Sequence, residues 1–305
     1  MRVSAIEIGT NSTKFIIAEP VSRNNYKVIT KKSTVNRLSK DMYGSNLLSG
    51  RSIDTCTESI REYLDESRKN GARLLSIFST SVLRDAGNKQ EVINRIKSIS
   101  GMDVDIISGE REALLTYKAC CSLKNDTADR FAIIDIGGGS TEIITGGQDG
   151  IDNKISLDIG AVRLTEMFIK NDPVEAYQIE DIRRFAMEKL RSVSITSWSR
   201  ICLVGTGGTV KTAATMCMKT PYDNESGING LQLSKESISG VFNKLAAMTV
   251  EQRKNVVGLN PKRADVINTG LMILICLLDL FKTDRIVVSS RGVLEGFIDE
   301  YTNSI

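Results

Sequence analysis

One segment of this chain occurs twice. Ile6-Glu7-Ile8-Gly9-Thr10-Asn11-Ser12-Thr13 can be laid over Ile134-Asp135-Ile136-Gly137-Gly138-Gly139-Ser140-Thr141. Both isoleucines, the first glycine, the serine and the threonine coincide, and Glu7 faces Asp135. An apolar run precedes each turn and another follows it. Apolar run, glycine turn, apolar run is the signature of a strand, a hairpin and a second strand. Two copies predict two domains of like construction, made by duplication and facing each other across a cleft. The length of 305 residues fits two domains, since single domains commonly span about 100–200 residues.

The rest of the pattern is α/β. Val3 to Ile8, Lys14 to Glu19 and Tyr26 to Val35 read as a strand meander. Ser52 to Asn70 has helical spacing, with Ile53, Cys56, Ile60 and Leu64 on one face and Gly71 as its stop. Leu74 to Phe78 is a strand; Asn88, with Glu91 three residues on, offers a helix cap. Val104 to Ile107 is a strand, and Ser108 opens a helix through Cys121. The pattern restarts at Phe131 to Ile136, continues with strands at Glu142 to Thr145, Ile155 to Leu157 and Ile201 to Val204, and becomes mostly helical, with one more strand at Arg285 to Val288. Strands alternating with helices predict α/β layers. The restart places the domain border near residues 118–130, giving domains 1–120 and 121–305, with a last helix at about 291–305 packing back on the first domain.

Several classes of chemistry are excluded by composition. The chain has no histidine, so Ser-His-Asp and Cys-His catalysis, histidine metal ligands and phosphohistidine are absent. The six cysteines form no C-x-x-C pair and read as buried reduced thiols of a cytoplasmic protein. A catalytic metal must then be held by oxygens, which points to Mg²⁺ or Mn²⁺. Net charge is +3, too mild to argue for DNA. Leu271 to Leu278 is the most apolar run and is far shorter than the roughly 20 residues a membrane span needs; it reads as a core helix.

A glycine hairpin exposes consecutive backbone N–H groups in one concavity, which suits phosphate oxygens. Gly9, Asn11 and Ser12 form one such candidate, and Gly137, Gly138, Gly139, Ser140 and Thr141 form another. Glu7 and Asp135 stand where an acid can hold a cation against the phosphate. One hairpin alone reads equally as a plain turn; the pair points to phosphate. Gly205-Thr206-Gly207-Gly208-Thr209-Val210-Lys211-Thr212 nearly spells a Walker loop, but Val210 replaces the glycine required before Lys-Thr. It still leads a strand into a helix N-terminus, an anion site or a tight turn alike. From pattern alone, neither Glu110 nor Glu112 stands out, and Arg84 reads as a surface ion-pair residue.

These residues resemble the Ppx/GppA family of exopolyphosphatases and guanosine pentaphosphate phosphohydrolases. The matching segments are Glu7 to Ser12, Ser79 to Asn88, Ile107 to Ala113, Asp135 to Glu142, Ser156 to Glu166, Gly205 to Thr212, Gly258 to Asp265 and Ser290 to Gly296. The resemblance implies two actin/Hsp70/sugar-kinase-like (ribonuclease H-like) domains. It implies that Glu112 is the catalytic base, that Arg84 binds phosphate and that Asp135 and Glu142 are acids of the second loop. It further implies Gly207, Gly208 and Thr209 as phosphate binders, Mg²⁺ as cofactor, and Asp135, Glu142 and Glu7 as metal-site acids. Family members are often homodimers. The chain departs from the family at two places, with Glu7 for an aspartate and Leu294 for an arginine. It ends soon after that last segment, as the short, two-domain members do.

The activity implied is hydrolysis of the terminal phosphoanhydride of inorganic polyphosphate, with water activated by Glu112. Lys31, Lys32, Arg37, Lys211, Lys262 and Arg263 are candidates for a basic track. Three alternatives stand beside it: a guanosine pentaphosphate phosphohydrolase, a kinase of the same superfold, and a non-catalytic alarmone sensor.

Overall fold

The computed structural model describes all residues except 24, 41, 124–129, 148–149, 194–200, 225–226 and 305. The domain border near 118–130 therefore lies in part outside the described residues, as does the end of the helix at about 291–305. The chain divides into two compact units: Met1–Ala119 together with Val293–Ile305, and Cys120–Gly292. Among the described residues no helix is long and apolar enough to cross a membrane.

The first unit contains β1 (Val3–Ile8), β2 (Ser12–Ser22), β3 (Asn25–Val35), α1 (Met42–Ser45), α2 (Gly50–Lys69), β4 (Arg73–Ser79), α3 (Ser81–Asp85), α4 (Lys89–Ser100), β5 (Val104–Ile106) and α5 (Gly109–Cys120). Its sheet runs β3-β2-β1-β4-β5. The first three strands are an antiparallel meander, and β1, β4 and β5 are parallel.

Successive residues of a strand face opposite sides, and here both sides are covered. Ile6, Ile8, Phe15 and Ile17 enter one core with Ile53, Cys56, Ile60 and Leu64 of α2. Val3, Ala5, Ile16 and Ala18 enter a second core with Phe78 and Leu115. Burial on both faces explains why β1 reads as an unbroken apolar run around Glu7.

α2 starts where the Ser49 hydroxyl accepts the Ser52 N–H at 3.2 Å, and the chain turns away at Gly71, φ 60°. Asn88 stands at the N-cap position of α4, but its side chain makes no capping bond. Its amide instead bonds both ways with the Leu48 backbone, at 2.8 and 3.0 Å, while Glu91 pairs with Arg95 at 2.8 Å. A tertiary partner for the amide outcompetes the local cap.

The second unit contains β6 (Arg130–Ile136), β7 (Thr141–Gly147), β8 (Gly150–Leu157), α6 (Ala161–Phe168), α7 (Ala176–Leu190), β9 (Ile201–Thr206), α8 (Gly207–Met218), β10 (Gln232–Ser234), α9 (Lys235–Ala246), α10 (Val250–Arg253), α11 (Ile267–Leu280) and β11 (Arg285–Val288). Its sheet is β10-β11-β9-β6-β7-β8. Taken from the other edge, β8-β7-β6-β9-β11 repeats the first sheet: an antiparallel meander, then parallel strands. Each unit is thus a ribonuclease H-like α/β domain, as in actin-like proteins. The apolar run at Leu271 to Leu278 lies in α11 within the unit's core. β10 and α3, three and five residues long, are too short for periodicity to reveal.

α12 (Val293–Asn303) belongs to the first unit. Val293, Leu294 and Ile298 complete the second core of that unit. Leu294 is 1% exposed, and burying a leucine is worth about 1.5–3 kcal/mol. A leucine at this position therefore builds core and binds no anion. α12 lies directly on α5: a Cβ at Gly296 would sit 1.9 Å from the Leu115 carbonyl oxygen, so only glycine permits this approach. Arg111 and Lys118 of α5 both bond the Glu300 carboxylate, and they hold its pKa down at about 2.

Candidate functional site

In the first unit the C-terminal ends of parallel β1, β4 and β5 line one sheet edge, the usual ligand edge of such sheets. Short bonds knit the segments that leave it. Thr80 N–H and Ser79 hydroxyl donate to Ile8 O at 3.2 and 3.0 Å, and Ile107 N–H donates to Ser79 O at 3.0 Å. Arg84, in the last turn of α3, points Nη1 at Ile107 O and at Glu112 Oε2, each at 2.9 Å. Glu112 lies in the first turn of α5 and is 6% exposed. Two residues that pattern alone would pass over are thus an ion pair beside the first glycine turn.

In that turn Gly9 N–H donates to Ser12 O at 3.0 Å, and a Cβ on Gly9 would lie 2.9 Å from the same oxygen. The turn's carbonyls face the segment after β3: Thr10 O accepts Ser39 N–H at 3.2 Å and Asn11 O accepts Arg37 N–H at 3.0 Å. Arg37 takes a left-handed φ of 52° to do so. Among the described residues, the amides of Thr10 and Asn11 donate to no protein acceptor. The Asn11 side-chain amide nitrogen is buried with no acceptor either.

The second turn repeats this construction. Gly137 N–H donates to Ser140 O at 3.0 Å, and a Cβ there would lie 3.0 Å from that oxygen. Its carbonyls are bound by the start of α6. Gly137 O accepts Ala161 N–H at 3.0 Å, and Gly138 O accepts Val162 and Arg163 N–H at 2.9 and 3.0 Å. Gly139 O accepts Arg163 Nε–H at 2.7 Å. The amides of Gly138 and Gly139 again have no protein acceptor among the described residues. With these carbonyls tied down on one side, both turns leave backbone amides to donate, which is what an anion requires. Ser140 is buried beside these amides, and Thr141 donates its hydroxyl to Ile159 O.

Gly207, Gly208 and Thr209 lie at the same edge, because β9 runs parallel to β6 with Thr206 beside Asp135. Gly207 has φ 86°, and a Cβ on it would fall 2.4 Å from Asp135 Oδ1, so glycine is required twice over. The Arg263 guanidinium packs against Gly208; a Cβ there would sit 2.1 Å from Nη1.

The acids differ between the units. Asp135 and Glu142 are directly opposite in the β6–β7 pair and are 7% and 1% exposed. Opposed residues share one face, and two like charges there repel. Ser156 donates to Glu142 Oε1 at 2.7 Å. In the first unit the corresponding pair is Glu7 and Lys14, joined by an ion pair of 2.6 Å. Glu7 Oε1 takes the lysine, while Oε2 is buried with no donor. Two buried carboxylates side by side fit a hard divalent cation; Glu7 shares its Oε1 with Lys14. Among the described residues no cluster of three or more His, Cys, Asp or Glu stands in metal-binding array.

The structure thus gathers Glu7, Gly9, Asn11, Ser12, Arg84 and Glu112 on one edge of the first sheet. It gathers Asp135, Gly137 to Thr141, Glu142 and Gly207 to Thr209 on one edge of the second. Lys31 and Lys32 are paired with Glu295 at 2.6 Å and Glu66 at 3.3 Å. Lys14 and Arg163 went unnoticed in the sequence. The hairpin register marks Lys14 as the partner of Glu7; nothing local marks Arg163, 24 residues from the carbonyl it braces. Cysteine takes no part: among the described residues none of the six is in a disulfide, and burial pushes the Cys56 and Cys276 thiols up to about 11 and 12.

Fold and edges together define an α/β protein with a duplicated ribonuclease H-like plan and a glycine turn at the ligand edge of each half. The model of the Ppx/GppA phosphatase family matches residues 16–304, and the chain belongs to that family. It is 32% identical over 311 positions to the bifunctional 3-dehydroquinate synthase/phosphatase of Fusobacterium nucleatum, covering 97% of this chain but only 46% of that longer protein. It is 25% identical to exopolyphosphatase 2 of Mycobacterium tuberculosis, with 97% of each chain covered. Among solved structures, an Aquifex aeolicus member of the Ppx/GppA family is similar with a TM-score of 0.82 at 26% identity, covering 100% of this chain and 98% of that one. An exopolyphosphatase from Cytophaga hutchinsonii shares the fold with a TM-score of 0.92 at 24% identity, covering 100% and 99%.

Proposed function

We propose that this chain is an exopolyphosphatase, a hydrolase that releases orthophosphate from the end of inorganic polyphosphate. The carrying observation is the mirrored pair of turns, each with its carbonyls bound from behind and its amides left to donate. Such a surface suits the oxygens of a phosphate chain and asks nothing of a sugar or a base. Family membership and the likeness to exopolyphosphatases along the whole chain support the same reading.

In this reading Glu112 orients a water molecule and takes its proton as it attacks the terminal phosphorus. Arg84, fixed by Ile107 O, holds the Glu112 carboxylate in one direction and offers its remaining N–H groups to phosphate. Gly9, Asn11 and Ser12, and Gly137 to Thr141 with Gly207 to Thr209, donate to phosphate oxygens. Asp135 and Glu142 would hold Mg²⁺ or Mn²⁺, with Glu7 a lesser ligand because Lys14 already engages it. When bound, the cation would neutralise charge on the phosphate oxygens.

The test is phosphate release from long-chain polyphosphate and from guanosine pentaphosphate, measured in parallel with Mg²⁺. Release from polyphosphate is expected. Release from the nucleotide alone would move the function to alarmone hydrolysis. Tight nucleotide binding with no release from either would make the chain a sensor.

A further inference from the structure

A cavity of about 640 Å³ opens in the second unit, away from its glycine turns. It lies at the C-terminal end of α8, where Met216, Cys217 and Lys219 line it. Gly207 to Thr209 sit at the other end of that 12-residue helix, about 10–18 Å off at 1.5 Å per residue. One wall is a single face of α9: Ser237, Gly240, Val241, Lys244 and Leu245, spaced at helical intervals. Met248, Val256 and Val257 close the other side. The volume falls within the usual range for small-molecule sites, about 300–1,000 Å³.

Three observations say that this space is built. The wall is fixed from behind by Arg253, which is 1% exposed and donates to Leu245 O at 3.0 Å, Met248 O at 2.8 Å and Ala264 O at 3.0 Å. Gly240 stands inside α9, where glycine costs helix stability. Nothing in its surroundings demands it, because its φ is not positive and a Cβ on it would meet no atom within 4 Å. Its effect is to leave the cavity wall bare. The charge of the lining is one-sided: Lys219 and Lys244 belong to it and no carboxylate does. Neither ammonium enters an ion pair among the described residues.

We propose that this cavity is a binding site for a small amphipathic anion, its apolar body against Met216, Val241, Leu245 and Met248 and its anionic group at Lys219 and Lys244. The site is independent of the hydrolytic reading and would stand if that reading fell.

The test uses 1-anilinonaphthalene-8-sulfonate and its uncharged analogue N-phenyl-1-naphthylamine, titrated into the full chain and followed by fluorescence. The sulfonate binds more tightly than the amine. Lys244→Glu, at an exposed position, weakens the sulfonate about three- to tenfold and leaves the amine unchanged. Gly240→Leu puts a bulky apolar side chain on the bared wall while improving the helix, so it weakens binding of both at least severalfold and raises Tm. Saturating sulfonate slows alkylation of Cys217 by N-ethylmaleimide, read by peptide mapping, with Cys121 as the internal reference. Equal affinity for the two compounds overturns the anionic part of the proposal. Affinities for both compounds unchanged in Gly240→Leu, or a Cys217 alkylation rate unchanged at saturation, overturns the site itself.

Discussion

Glu112→Gln keeps the size of the side chain and one acceptor oxygen, and removes its charge and its basicity. The structure sets what each loss should do. Arg84 Nη1 is held by Ile107 O as well as by Glu112, at 2.9 Å each, so the arginine keeps an anchor in the variant. A hydrogen bond to a charged group is worth about 1.5–3 kcal/mol net and a neutral one about 0.5–1.5. The exchange therefore costs about 1–2 kcal/mol, and less to the extent that water screens Arg84, whose side chain is 23% exposed. For a chain of 305 residues that lowers Tm by about 2–3 °C. Catalysis should fall much further. A general base contributes about 10²- to 10⁴-fold, or roughly 3–5.5 kcal/mol of barrier. Calorimetry and phosphate release from polyphosphate separate the two effects. A folded Glu112→Gln enzyme within tenfold of the wild-type rate refutes Glu112 as the base. A rate loss matched by Arg84→Met, with no further loss in the double variant, would reduce Glu112 to an anchor for Arg84.

Three other outcomes can be checked. Gly160→Ala places a methyl 2.2 Å from Gly138 O, so the second turn must move by about an ångström; turnover should fall on the order of 10²-fold and the overpacking should cost about 1–3 kcal/mol of stability, by phosphate release and calorimetry. Glu142→Gln removes one of two opposed buried carboxylates, so the Mg²⁺ concentration for half-maximal activity should rise at least about tenfold, by metal titration. Glu300, with a folded pKa of about 2 against an ordinary 4.5, contributes stability that is full above 4.5 and lost as pH falls toward 2. The Tm difference between wild type and Glu300→Gln should accordingly be constant above pH 5 and shrink to nothing near pH 2.

Much of the fold was legible because its signals are local. The glycine turns are marked in sequence, since Gly9 and Gly137 each lie against a carbonyl only three residues on. The strand–helix alternation survives because β1 and β2 are apolar on both faces. What escaped depends on partners distant in sequence. Asn88 has the composition of a cap but meets Leu48, 40 residues earlier. The carbonyls of the turns are bound by 37–39 and 161–163, segments with no motif of their own. Lys31 and Lys32 suggested a basic track until their acids, Glu295 and Glu66, came into view. Glu112 and Arg84 become a pair only when β4 and β5 lie side by side; in sequence each is one ordinary charge.

The position of α12 has a consequence for how this chain is made. The first unit needs Val293, Leu294 and Ile298 against Val3, Ala5, Ile16 and Ala18, yet all of residues 120–292 are synthesised in between. At about 5–20 residues per second, that interval is roughly 10–35 s. Throughout it, one apolar face of the nascent N-terminal sheet waits without its cover, while the later-made unit already has every element it needs. The half born second would thus be the first to finish, and a chain held with residue 292 just clear of the ribosome would carry one closed domain and one that still exposes a surface for a chaperone to hold.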